Sequence, residues 1–367
     1  MVAKKKVLFA IGSLTMGGAE RLVIELANRF DRTAWEPHVV CLMFKGEQAN
    51  LLSDRVPLHL LNKKPGFDYG LLKRIQQLVA DIQPAVINTH LWTANTWMRA
   101  ALRGRVPVVV TEHNRDEWKS WHHKMIDRYL ARSTAKMITV SNDSGRFYHE
   151  QVGIPSGLIE VIYNGIDVDN YATGQSAQVR EELGIEPDRL LIGMVGRLVP
   201  QKNHMRFLES VEIMKQRGSN ALCLIVGDGP ERPKLEAAAA EKDLMEHVRF
   251  LGSRADVPDI LQALDIFTLS SDREGHPLTA LEAQAAGVPV VLTDVGGSAD
   301  ALSREGDKTG GILVPPDAQA LADGWLQLIN DDQKRAQMSQ FAADHTRKHF
   351  GLARMVQDYE SLLASVS

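Results

Sequence analysis

Twelve short apolar, β-branched runs separated by longer helical stretches constrain this chain more than any other feature. The first six are Val7 to Ile11, His38 to Leu42, Ala85 to Asn88, Val108 to Thr111, Met137 to Val140 and Glu160 to Ile162. The second six are Leu190 to Val195, Leu222 to Val226, Val248 to Leu251, Ile266 to Leu269, Val290 to Leu292 and Ile312 to Val314. Runs this short without polar alternation read as strands buried on both faces, and their alternation with helices implies right-handed βαβ units. Six strands followed by six predict an α/β protein of two Rossmann-like, doubly wound domains facing across a cleft, with ligand crevices beyond the strands' C-terminal ends. A length of 367 residues agrees, being more than one hydrophobic core usually fills. The polar stretch Asn164 to Ala177 is the expected linker.

Composition and charge narrow the function classes. No apolar run approaches the roughly 18 residues of a membrane span, and Met1 to Lys6 lead directly into a strand, so a cytoplasmic protein is expected. Cys41 and Cys223 lie inside apolar runs, as buried thiols in a reducing compartment would, and neither a disulfide nor a zinc site is expected. Residues 1–170 carry 22 Lys and Arg against 17 Asp and Glu, whereas the remainder carries 20 against 29. A basic half suits phosphate-rich partners such as anionic headgroups, lipid diphosphates or nucleic acid, or else reflects chance variation of surface charge. Within it, residues 115–136 mix Trp118, Trp121 and Tyr129 with Lys119, His122, His123, Lys124, Arg128, Arg132 and Lys136. That mixture fits either an anionic membrane surface or a helix packed through its aromatic face with a solvated basic side. No nucleic-acid recognition module accompanies it, so nucleic acid is not an expected partner.

Chemistry-bearing residues gather where strands end. The first run leads into Gly12-Ser13-Leu14-Thr15-Met16-Gly17-Gly18-Ala19-Glu20 ahead of an amphipathic helix. Gly17 and Gly18 either let backbone amides approach an anion or serve only the turn, and their spacing is not the GxGxxG dinucleotide fingerprint. His90 and His113 close two neighbouring runs, where a histidine can donate to a sugar hydroxyl or phosphate oxygen, relay a proton, or simply pack. Gly196-Arg197 and Lys202 follow the first strand of the second half, placed either to meet a diphosphate with a bidentate fork and a point charge or to lie as solvated surface charges. The loops at Gly227-Asp228 and Arg254 would face a nucleotide base. Glu274 precedes a helix opened by Gly275-His276-Pro277-Leu278-Thr279, whose free amides form an anion pocket, and Glu282 lies on that helix. Two carboxylates so spaced suit a sugar and a ribose, or else Glu274 compensates the helix dipole and Glu282 lies on a solvated face.

Glu274 to Glu282 resembles the E-x7-E motif of retaining GT-B glycosyltransferases, family four (glycosyl transferases group 1). The helix Leu281-Glu282-Ala283-Gln284-Ala285-Ala286-Gly287-Val288-Pro289 resembles the family's ending of that motif. Gly17-Gly18-Ala19-Glu20, Thr111-Glu112-His113, Val140-Ser141-Asn142, Tyr163-Asn164-Gly165-Ile166-Asp167, Gly196-Arg197 with Lys202, Gly227-Asp228-Gly229-Pro230 and Gly296-Gly297 resemble family elements in order and spacing. The resemblance implies a hexosyltransferase that takes a sugar from a nucleotide diphosphate donor, UDP-sugar before GDP-sugar, to a glycan or lipid-linked acceptor. It implies that Arg197 and Lys202 bind the diphosphate, Glu274 the sugar and Glu282 the ribose, with His113 near the reacting sugar and the Gly17-Gly18 loop over phosphate and acceptor. His90, Asn142, Asn164, Gly196, Gly227, Asp228, Arg254 and the stretch Gly275 to Thr279 complete the expected binding set.

The same resemblance sends the final helix, 352–367, back to an acceptor-side domain of residues 1–170, leaving 171–351 for the nucleotide sugar. Two positions depart from the pattern: His276 stands where the family has an aromatic or small residue, and Asp300 where it has Glu. Both bear on donor identity. Asp167-Val168-Asp169 matches a metal-holding DxD, but it falls in the linker, so neither metal nor cofactor is expected. Bacterial surface polysaccharide or glycolipid synthesis, with the protein cytoplasmic and peripheral at the inner face of the membrane, is the expected setting. A nucleotide-sugar epimerase of the same fold, which would form a free epimer without acceptor, and a non-catalytic sugar-nucleotide-binding subunit are the rival expectations.

Overall fold

The structure, a computed structural model, describes residues 4–172 and 174–367. Met1 to Ala3 and Thr173, part of the N-terminal and linker stretches singled out above, lie outside the described residues. The chain forms two compact units, one of residues 1–164 with 353–367 and the other of residues 165–352. The division at Asn164 comes six residues before the boundary expected from sequence, and the short 3-10 helix Val168–Tyr171 gives part of the expected linker regular structure.

In the first unit β1 (Lys5–Ile11), β2 (Trp35–Cys41), β3 (Leu58–Leu60), β4 (Val86–His90), β5 (Val108–Glu112), β6 (Lys136–Thr139) and β7 (Ile159–Val161) form one sheet. Its order is β3-β2-β1-β4-β5-β6-β7 and every pairing is parallel. β4 and β5 are buried along their whole length, as continuous apolar runs require. β3 is absent from the sequence reading because three half-exposed residues show no periodicity. It pairs with β2 only from Val39 onward, so Pro37, which has no N–H to give, lies in the part of β2 that β3 does not reach.

In the second unit β8 (Leu191–Val195), β9 (Leu222–Val226), β10 (Val248–Gly252), β11 (Ile266–Leu269) and β12 (Val290–Thr293) precede a small antiparallel hairpin of β13 (Arg304–Glu305) and β14 (Lys308–Thr309). β15 (Gly311–Val314) then completes a parallel sheet ordered β10-β9-β8-β11-β12-β15. Both sheets therefore run outward from a central strand and then reverse, at β1/β4 in one and β8/β11 in the other. The crevice at such a reversal is where open α/β sheets bind ligands.

The final helix, Leu352–Val366, belongs from Ala353 onward to the first unit. Arg354 donates to the carbonyl of Tyr163 at 2.9 Å, Lys5 reaches the Ser367 hydroxyl at 2.7 Å, and Tyr359 is fully buried. Cys41 and Cys223 are buried free thiols; burial pushes Cys41 up to about 12 and raises Cys223 as well. Among the described residues no helix is long and apolar enough to cross a membrane.

One feature of the first unit reverses a sequence reading. Lys119 is not a surface cation: its buried ammonium lies 2.9 Å from Asp127, 3.1 Å from Asp116 and 3.5 Å from Glu112, while buried Arg99 pairs with the other Asp127 oxygen at 2.8 Å. Burial alone would discharge Lys119, but the facing carboxylates of Glu112, Asp127 and Asp116 raise its pKa overall. Burial also holds the Glu112 carboxyl toward its protonated form. Asp127 thus turns the helix Trp121–Leu130 with its acid inward and leaves three large apolar residues outward: Trp121 and Tyr129 are each 68% exposed and Met125 51%, while Leu130 is buried. The packed aromatic face allowed by the sequence is not what forms.

Asp127→Ala leaves two cations facing a burial site without their shared partner, and about 3–5 kcal/mol of stability should be lost. Urea unfolding followed by tryptophan fluorescence reads this, because five of the six tryptophans lie in the first unit. An unchanged midpoint for the first-unit transition would contradict it.

Candidate active site

In the second unit the loops leaving β9, β8, β11 and β12 are laced together at the strands' C-terminal ends. Leu198 N–H donates to Asp228 O at 2.9 Å, Asp272 N–H to Gln201 O at 2.9 Å and Gly297 N–H to Glu274 O at 2.9 Å. Side chains reinforce this: Gln201 donates to Arg273 O at 2.8 Å, and Arg206 to Ser270 O at 2.7 Å and to the Asp272 carboxylate at 2.7 Å. Three glycines are required by the closeness of these loops. A Cβ on Gly227 (φ +132°) would lie 2.0 Å from Gly196 O, one on Gly229 2.4 Å from Leu198 O, and one on Gly296 (φ +55°) 2.1 Å from Glu274 O.

This lacing fixes the acid and base that the sequence singled out. Glu274 is nearly fully buried, and one carboxylate oxygen accepts from Lys202 Nζ at 2.7 Å and from Ser271 Oγ at 2.6 Å. Asn203, next to Lys202, takes a left-handed conformation (φ +45°) and caps the helix His204–Gln216 with its side chain. That turn aims Lys202 back toward β11. Arg197 is exposed and its guanidinium makes no ion pair or hydrogen bond among the described residues. Glu282 sits part-exposed on the helix Leu278–Ala285. The amides of Gly275, Leu278 and Thr279 donate to no acceptor among the described residues. Unspent amides at a helix start are free to donate to an anion.

Other expected site residues are spent within the unit. Arg254 makes four hydrogen bonds, two to Glu182 and two to Asp256, which raise its pKa further. Asp228 accepts from Gly229 N–H and from Arg232, and both lower its pKa. His276 is buried, its ring 5.7 Å from that of Phe350. Arg254 and Asp228 thus brace the loops through these bonds, and Asp228 remains exposed.

In the first unit Gly17 has extended backbone (φ −177°), and a Cβ there would meet only the flexible Glu20 side chain. The turn itself therefore does not demand glycine at 17. Asn142 opens the helix Asn142–Phe147 and donates to the Tyr163 hydroxyl, while Asn164 is buried with its carbonyl bound by Arg354 at 3.3 Å. His113, part-exposed after β5, lies 3.1 Å from His90. His90 is fully buried and its other ring nitrogen lies 2.8 Å from Asn88 Oδ1, so both nitrogens are engaged. The expected direct substrate contact by His90 is thus replaced by a contact to His113. Burial lowers His90 well below its ordinary value and His113 to about 4. Leu91, which follows His90, has φ +65°, a strained conformation for leucine that makes the turn from β4 into the next helix immediate.

The model of Glycosyl transferases group 1 matches residues 175–345, and that of Glycosyltransferase Family 4 matches residues 16–170. The D-inositol 3-phosphate glycosyltransferase of Corynebacterium jeikeium is 33% identical over 376 residues, covering 92% of this chain and 89% of its own. This chain is a group 1 glycosyltransferase. Its GT-B fold is shared by Anabaena HepE in complex with UDP, at a TM-score of 0.88 and 26% identity over 98% of the transferase and all of HepE. HepE in complex with UDP-glucose matches at 0.86. The lipopolysaccharide core biosynthesis mannosyltransferase LpsB of Rhizobium meliloti is 27% identical over 276 residues, covering 72% of the transferase and 75% of LpsB.

Gly296→Ala tests the lacing in the transferase. The added methyl meets backbone at Glu274 and cannot be accommodated by rotating a side chain, so the Glu274 turn must shift. A displacement of that size should lower the transfer rate on the order of 10²-fold while circular dichroism still reports a folded chain. Wild-type transfer by this variant would contradict it.

Proposed function

We propose that the chain is a retaining, metal-independent hexosyltransferase moving a sugar from a nucleoside diphosphate donor to a glycan or lipid-linked acceptor. The observation that carries this reading is the Lys202–Glu274 pair at 2.7 Å beside unspent helix amides and the unpartnered Arg197. The HepE complexes with UDP and UDP-glucose favour a UDP-sugar, and the lipopolysaccharide core mannosyltransferase LpsB favours bacterial surface polysaccharide or glycolipid synthesis. The sugar C1–O bond breaks with its electron pair leaving on the diphosphate, whose charge Arg197, Lys202 and the amides of Gly275, Leu278 and Thr279 stabilise. The acceptor hydroxyl bonds to C1 on the face the diphosphate leaves and passes its proton to a departing phosphate oxygen. Glu274 holds the sugar hydroxyls and Glu282 the ribose.

The two glutamates should fail differently. Glu274→Gln should lower kcat roughly tenfold or more with little change in nucleotide affinity, because its contact strengthens as charge develops at the sugar. Glu282→Gln should chiefly raise the donor KM. Turnover should also persist in excess chelator. Complete loss in chelator, restored by magnesium or manganese, argues against the cationic clamp, and a wild-type kcat for Glu274→Gln argues against its role.

The outward apolar face of the helix Trp121–Leu130 supports a membrane-borne acceptor. Trp118 and Trp121 are exposed at the start of that helix, which carries Lys124 and Arg128, and Phe67 and Tyr69 are exposed beside Lys63 and Lys64 at the start of the helix Tyr69–Ile82. Helices in parallel α/β units run antiparallel to their strands, so these two helix starts lie at the edge of the sheet that carries His113. The first unit holds 23 Lys and Arg against 17 Asp and Glu. Rings that sit at headgroup depth and cations that meet lipid phosphate form one surface for an anionic bilayer. The chain should co-sediment with anionic but not neutral vesicles at low salt, and Trp121→Ser with Tyr129→Ser should weaken this several-fold. Equal, negligible binding to both vesicle types would refute it.

A further inference from the structure

The first sheet fixes which proton each histidine at its reversal carries. Asn88 Nδ2 lies 3.1 Å from the main-chain oxygen of Val109 and 2.9 Å from Thr111 Oγ1. A carbonyl oxygen only accepts, so the amide must point its NH2 at β5 and its Oδ1 away. That Oδ1 lies 2.8 Å from His90 Nε2, which must therefore carry a hydrogen and donate. A neutral imidazole has one N–H, which leaves His90 Nδ1 as a bare acceptor. His113 Nε2, 3.1 Å away, must then carry the hydrogen and donate to it. What remains is His113 Nδ1, a lone pair with no partner among the described residues on a part-exposed ring.

We propose that Asn88 and His90 are positioning residues that lock His113 in the Nε2–H form, so that the nitrogen it presents to substrate accepts a hydrogen bond and does not give one. This rests on the donor reading above and sharpens it. A bare ring nitrogen repels a phosphate oxygen and suits a sugar or acceptor hydroxyl, so the partner of His113 is a hydroxyl. The two rings stay neutral near neutral pH, because burial lowers His113 to about 4 and holds His90 well below its ordinary value. His113 therefore acts by orienting a hydroxyl, not as a general base poised near pH 7. Leu91 in its left-handed conformation lets the helix begin directly after His90.

The test is nitrogen-15 NMR of histidine-labelled full-length protein with long-range proton–nitrogen correlation, which distinguishes a protonated from a bare ring nitrogen. Wild-type His113 should show a protonated Nε2 and a bare Nδ1 from pH 5 to 8. Addition of UDP-glucose should shift Nδ1 toward the hydrogen-bonded value, whereas UDP alone should leave it in place. Asn88→Leu, which removes the acceptor facing His90, should give mixed tautomers at His113 and lower kcat several-fold with donor KM little changed. His90→Gln, whose amide can accept from His113 and donate to Asn88, should retain more activity than His90→Leu. A proton on Nδ1 of wild-type His113, an equal shift with UDP alone, or a single unchanged tautomer in Asn88→Leu would overturn the proposal. Failure of UDP-glucose to shift any resonance counts against the donor reading instead, since the tautomer is read without ligand.

Discussion

A parallel strand buried on both faces accommodates polar side chains mainly at its ends, and its N–H and C=O groups are taken by neighbouring strands. That constraint sorts this chain's chemistry. Lys202, Glu274, His90 and His113 all sit at or just beyond strand C-termini, next to the reversal of strand order in each sheet. Two non-glycine residues with positive φ, Leu91 and Asn203, stand beside members of this set. Each allows a helix to start directly after a functional candidate, and asparagine does so at less strain than leucine.

The two sheets hold their edges by different means. In the second unit main-chain bonds between loops do the work, and glycines at 227, 229 and 296 are the consequence of backbones meeting at distances no Cβ tolerates. In the first unit a buried group of Arg99, Asp127, Lys119, Asp116 and Glu112 ties the loop after β5 to the helices Leu91–Leu102 and Trp121–Leu130. Its inward pull on Asp127 is what leaves Trp121, Met125 and Tyr129 facing solvent. Local polarity and exposure are therefore inverted along one helix by ion pairing, not by propensity.

Much of the architecture was legible because apolar runs and βαβ alternation are local patterns. All twelve runs correspond to strands, while β3 and the hairpin of β13 and β14 were too short to carry a period. Site residues were legible as positions but less so as roles. Lys119 reads as a surface cation in a basic, aromatic segment, and only the fold brings Asp127 and Glu112 to it. Arg254 reads as a ligand contact, yet its partner Glu182 is 72 residues away in sequence. Asn88, unremarkable inside a strand, gains meaning only from the Val109 carbonyl opposite it and the histidine two residues on. Pairing across long sequence separation leaves no periodic trace to read.

Counting unspent hydrogen-bond donors separates the cations that can meet a ligand from those that cannot. Arg254 commits four of its five N–H groups to two carboxylates, and withdrawing them would strand both acids. Lys202 gives one of its three to Glu274 and keeps two, so it can hold the carboxylate in place and still face an anion. Arg197 has committed none among the described residues. The arrangement is graded: a tethered ammonium with a fixed position beside a free guanidinium whose planar fork can adjust to an incoming phosphate. The same count applied to His113, in the tautomer proposed above, leaves one lone pair and no donor, so that nitrogen suits a hydroxyl and not a phosphate oxygen.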